Sequence, residues 1–141
     1  TVWGISQLFT GKMADIFPKK TLLFWGMLVQ GLAILLLPLA ITNSFLIIIS
    51  VGLGIGTAIV YPTFLATIAE ATHPNRRAES IGTFRLWRDL GYAIGAILSG
   101  ITADLFGVDY AILLVGLITI GSSLIIKLRM PQKITSEFQI N

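Results

Sequence analysis

From Thr21 to Ala69 the chain contains no Asp, Glu, Lys, Arg or His, a run of 49 residues. As one helix this run would be about 74 Å long, against about 30 Å of bilayer hydrocarbon. It has to cross, turn and cross back. Pro38 followed by Thr42-Asn43-Ser44 supplies the turn signal, which predicts helices over about 21–41 and 44–71. The polar segment His73-Pro74-Asn75-Arg76-Arg77 precedes a third apolar stretch, 78–106. Its uncharged centre, Leu90 to Ala103, is 14 residues long, which is marginal for spanning alone. Arg88 and Asp89 are then expected about a turn inside the membrane interface. A fourth span, 110–129, has 17 uncharged residues from Tyr110 to Ile126 and ends on Lys127 and Arg129. Residues 1–17 read as the end of an earlier helix and 131–141 as a polar tail. Thr1 stands where a complete chain carries Met, and no basic start precedes the first apolar stretch. The chain is therefore expected to be a piece of a longer protein, with no signal peptide.

Composition agrees with this pattern. Of 141 residues, 55% are hydrophobic and 12% charged, about half the charge of an ordinary soluble domain. A soluble helical bundle needs polar faces, and Leu32 to Leu39 (LAILLLPL) has none. The chain has no Cys and one His, which leaves no disulfide framework, Cys-based zinc site, thiol nucleophile or His-rich metal site. Tyr61, Glu70 and His73 form no recognisable catalytic set, and no phosphate-binding loop appears. We expect no enzyme, no cofactor and no metal.

The loops set the orientation. Lys12, Lys19, Lys20, Arg76, Arg77, Lys127, Arg129 and Lys133 all fall on one side of the predicted spans, and Arg85 and Arg88 lie near it. The opposite loops carry no Lys or Arg, only Asp104 and Asp109. By the positive-inside rule the charged loops and the C-terminus are cytoplasmic, in a multi-pass protein of the plasma membrane. The same placement accounts for the isoelectric point near 9.5 without nucleic acid: these cations sit where they meet lipid headgroups.

Four constellations remain. Gly11-Lys12-Met13-Ala14-Asp15-Ile16-Phe17-Pro18-Lys19-Lys20 lies between two apolar helices; on physics alone it is a tight basic turn. Arg85 and Asp89 stand at i,i+4, with Arg88 three residues after Arg85. They read as snorkelling interfacial side chains, as a cytoplasmic gate network, or as direct substrate contacts. Gly82, Gly91, Gly95 and Gly100 line a helix as close-packing positions, Gly91 and Gly95 at its centre. Gly52, Gly54 and Gly56 thin one helix face, and Pro62 after Tyr61 is expected to kink it. Gln30 and Tyr61, polar groups at mid-membrane positions, line a cavity or pair between helices.

The Gly11-to-Lys20 segment resembles the signature loop of the major facilitator superfamily, G-x-L-x-D-R-x-G-R-K-x-x-L. Gly11, Asp15, Lys19, Lys20 and Leu23 match; Met13 replaces Leu, Ile16 the basic residue and Pro18 the second Gly. The resemblance implies that this loop braces cytoplasmic helix ends, with Asp15 its key residue, and favours the gate reading for Arg85, Arg88 and Asp89. The glycine run from Gly82 is similar in form to the family's antiporter motif, with Ala96 for Pro and Ser99 for Gly. The intramembrane Arg of the fourth family helix is missing, since Ile48 or Ser50 stands there.

We therefore expect an all-α, polytopic membrane bundle: residues 1–130 as part of a facilitator C-terminal half, from the end of helix 8 through helix 12. The resemblance implies a secondary transporter that moves a small solute by alternating access, as in drug or metabolite efflux. Its partners would be the lipid bilayer, the missing N-terminal half and the solute. The alternative is a non-transporting membrane module such as a sensor or assembly subunit.

Overall fold

The computed structural model describes residues 17–131; the readings at Gly11 and Asp15, the expected helix over 1–17 and the tail from residue 132 lie outside them. Four long helices follow one another: α1 (Lys19–Leu36), α2 (Asn43–Ala71), α3 (Arg77–Phe106) and α4 (Val108–Arg129). Each is long and apolar enough to cross a membrane. No strand occurs among the described residues.

The boundaries follow local chemistry. Pro18 precedes α1, and its carbonyl accepts from the amides of Thr21 and Leu22, so α1 starts two residues before the expected position. It ends at Leu36 rather than near Ile41, because Pro38 has no N–H to continue the ladder. The chain tightens there into a 3₁₀ turn, Leu37–Leu39. α2 runs through Pro62 as one assigned helix. The hydroxyls of Thr57, Thr63, Thr67 and Thr72 each donate to the carbonyl four residues back, which satisfies them where no water is available. α3 and α4 are joined by a single residue, Gly107. Its φ of 102° is open to glycine and strained for other residues; its amide donates to Ala103 and its carbonyl accepts from Ala111.

α1 is the centre of the bundle, packed against α2 on one face and α4 on the other. Both contacts are made through glycine. A Cβ on Gly56 would lie 2.8 Å from the Gly26 carbonyl oxygen, and one on Gly26 would lie 2.8 Å from Val60 Cγ2. At the second crossing, a Cβ on Gly31 would meet Ile120 Cγ1 at 2.6 Å, and one on Gly116 would meet Leu35 Cδ2 at 2.6 Å. Leu23, Ala58, Thr63 and Ser123 are buried around these crossings. Removing the Cβ lets the backbones approach, so that dispersion contacts hold helices that gain nothing by leaving lipid. Gly52 meets only Ala33 Cβ, at 4.0 Å, and Gly54 is half-buried on α2. Among the described residues, Gly82, Gly91, Gly95 and Gly100 meet nothing within 4 Å and α3 has no buried residue, so no described residue makes the close packing expected at Gly91 and Gly95.

The crossings give a directional prediction. Gly56→Val should destabilise the bundle by about 1–3 kcal/mol through overpacking, seen as a lower midpoint in thermal unfolding in detergent. Gly82→Ala, on the open face of α3, should not lower that midpoint, because the added methyl meets no neighbour and alanine favours the helix.

Candidate functional site

Polar and charged groups from the middle turns of α1, α2 and α3 converge on one cavity. It has a volume of about 570 Å³ and is lined by Gln30 from α1, by Thr57, Val60, Tyr61 and Phe64 from α2, and by Phe84, Arg88 and Tyr92 from α3. Helix geometry sorts these residues by depth from the lysine-rich ends of the helices. Phe64 and Phe84 lie about 10 Å in, at 1.5 Å per residue. Gln30, Tyr61 and Arg88 lie about 15–17 Å in, roughly three helical turns from those ends. Thr57 and Tyr92 lie about 21–22 Å in.

Each layer has its own contacts. Phe64 and Phe84 stack with ring centroids 5.7 Å apart and an interplanar angle of 30°. They line the cavity on the side nearer the basic helix ends. In the middle layer the Arg88 guanidinium donates through Nη1 to the Tyr61 hydroxyl at 3.3 Å. Its Nε donates to Asp89 Oδ1 at 2.8 Å, and Nη2 lies 2.7 Å from the same oxygen. The guanidinium carbon also lies 5.6 Å from the Tyr61 ring centroid and 5.9 Å from that of Tyr92, within cation–π range. A guanidinium has five N–H donors, so a part of this donor set is left over for a further acceptor in the cavity.

The carboxylate of Asp89 is thus held by its neighbour Arg88, not by Arg85 at i,i+4. Arg85 is exposed and makes no ion pair among the described residues. The structure brings Gln30, Tyr61 and Arg88 together at one cavity and leaves Arg85 nearer the helix end. Pro62 follows Tyr61 directly in α2. Lys19 is turned to α2, where its ammonium pairs with Glu70, while Lys20 lines a separate shallow notch with Lys127. The Lys19–Glu70 pair joins α1 to α2 at the basic end; Glu70 carried no signal in the sequence, because its partner lies 51 positions away. Phe64 and Phe84 were missed for a related reason. They stand ten residues on either side of Pro74, and an antiparallel hairpin about that proline brings equidistant positions level.

A family model described as Major Facilitator Superfamily matches residues 2–138. The chain belongs to the major facilitator superfamily. Among curated relatives of this facilitator, the uncharacterized MFS-type transporter MJ1560 of Methanocaldococcus jannaschii is 28% identical over 121 residues, covering 86% of the chain and 31% of the relative. The inner membrane transport protein YnfM of Escherichia coli is 23% identical over 129 residues, covering 92% of the chain and 31% of the relative. The uncharacterized MFS-type transporter YddS of Bacillus subtilis is 36% identical over 94 residues, 64% of the chain and 21% of the relative. The chain thus spans about a third of the length of the first of these. No solved structure matches it significantly. The facilitator family and the four spans make this a multi-pass membrane protein.

The half-exposed Lys19–Glu70 pair should contribute little, about 0.5–1 kcal/mol. Glu70→Gln should lower the unfolding midpoint slightly in low salt and not at all in high salt.

Proposed function

We propose that this chain is part of the C-terminal half of a secondary transporter that moves a small solute by alternating access. The whole transporter would include an N-terminal half outside this chain, and the cavity would be this half's share of the solute site. The observation that carries the reading is the convergence of Gln30, Tyr61 and Arg88 from three helices at one depth. Charges placed that deep in a membrane are costly, and they mark solute or ion pathways. Family membership and the transporter names of the relatives support it.

The lining supports a finer reading of the solute. Phe64, Phe84, Val60 and the two tyrosines offer flat apolar surface, and Arg88 and Gln30 offer donors. That combination suits a small molecule with an apolar ring body and one hydrogen-bond-accepting or anionic group. Phe64 and Phe84 act as the thin gate on the basic side. Asp89 holds Arg88 in place, so that a gate network of Arg88 and Asp89 shares its arginine with the solute site. The signature loop, with Gly11, Asp15, Lys19 and Lys20, braces the helix ends on that side. The positive-inside rule puts these ends in the cytoplasm and the protein in the plasma membrane.

The test uses the full-length protein in sealed, oriented vesicles. Thr57→Cys should be labelled by a membrane-impermeant maleimide from either side, and a transported solute should change the two rates in opposite directions. Labelling from one side only, or from neither, contradicts alternating access. Asp89→Asn, which frees Arg88, should shift the ratio of the two rates by about tenfold or more, the scale of a lost charge-assisted hydrogen bond.

A further inference from the structure

Between the basic ends of α1 and α4 lies a second hollow of about 330 Å³, lined by Lys20, Thr21, Phe24, Trp25 and Lys127. We propose that it binds the phosphate of an anionic glycerophospholipid. Lys20 and Lys127 come from different helices and sit within about 1.5–3 Å, along the axis, of the helix ends, so both stand at headgroup level. Lys127 is fixed beside the notch: its ammonium lies 4.9 Å over the Phe24 ring. Lys19 is engaged by Glu70 on the α2 side, while Lys20 lines this notch. No acidic residue lines it, so the two ammonium groups are not compensated there by any described residue. Below them, Trp25 lies about 9 Å into the helix and is 57% exposed. An aromatic ring at that depth meets the glycerol and upper acyl region of a lipid. Two cations above and an exposed indole below match a phosphodiester joined to acyl chains. Free phosphate would leave the indole unused, and a zwitterionic headgroup would bring a third cation to the lysines.

The site is independent of the solute cavity and of which leaflet the basic side faces. Full-length protein is purified in detergent and its retained lipids are counted by native mass spectrometry, with phosphatidylglycerol, phosphatidylcholine and inorganic phosphate as probes. Phosphatidylglycerol should be retained in preference to phosphatidylcholine. Lys20→Gln with Lys127→Gln should weaken that retention about thirtyfold, the scale of two interfacial lysines, while Lys20→Arg with Lys127→Arg should keep it. Arg129→Gln removes a neighbouring charge that does not line the notch and should change retention little. Equal retention of the two lipids, equal losses in Arg129→Gln and in the double Gln variant, or displacement of the lipid by millimolar phosphate would each overturn the proposal.

Discussion

The close approach of α1 to two neighbours at once is the contact on which this bundle depends. Apolar side chains gain nothing by leaving lipid for one another, so helices in a membrane associate through fit. α1 presents Gly26 to Gly56 on one face and Gly31 to Gly116 on the other. At both crossings a single methyl group would collide with a neighbour. These contacts fix how far α2 and α4 are shifted along α1, and therefore the depth of every polar side chain they carry.

The cavity follows from that register. With α2 fixed against α1, Gln30 and Tyr61 come to the same level. α3 returns from the short Pro74–Arg76 turn at a level that lets Arg88 reach the Tyr61 hydroxyl. Arg88 is tolerated at this depth because its guanidinium is shared between a carboxylate, a phenol hydroxyl and two aromatic faces. The arrangement separates two kinds of cation. Those near the helix ends, such as Lys20 and Lys127, face the headgroup region, whereas Arg88 is committed to the interior of the bundle. α3 is the helix least covered by the other described residues.

Much of the fold was legible because hydrocarbon imposes a coarse rule: an uncharged run of that length has to cross and return. The spans could be read from charge spacing and the turn signal at Pro38 and Thr42-Asn43-Ser44, and their ends shifted by more than one residue only at Pro18, Pro38 and Gly107. Gln30 and Tyr61 stood out as polar groups within apolar stretches. Gly56 was legible as a member of a glycine run, but Gly26, Gly31 and Gly116 were not. A lone glycine carries no mark of the face it serves until the neighbouring helix is placed. Arg88 was legible as a charge inside an apolar stretch, and it stands about 16 Å along α3 from Arg77. The i,i+4 spacing drew attention to Arg85, whereas the Asp89 carboxylate is reached by the adjacent guanidinium.

The central claim is that α2 and α3 are in register, with Phe64 level with Phe84 and Tyr61 level with Arg88. It is tested most directly by cross-linking single-cysteine pairs in the full-length protein in native membranes. Position 64 is held fixed and its partner is moved along α3 from residue 77 to residue 92. The account predicts a sharp maximum in oxidative cross-linking at residue 84. A maximum displaced by a full turn or more, or equal cross-linking along the whole helix, would contradict it and with it the cavity.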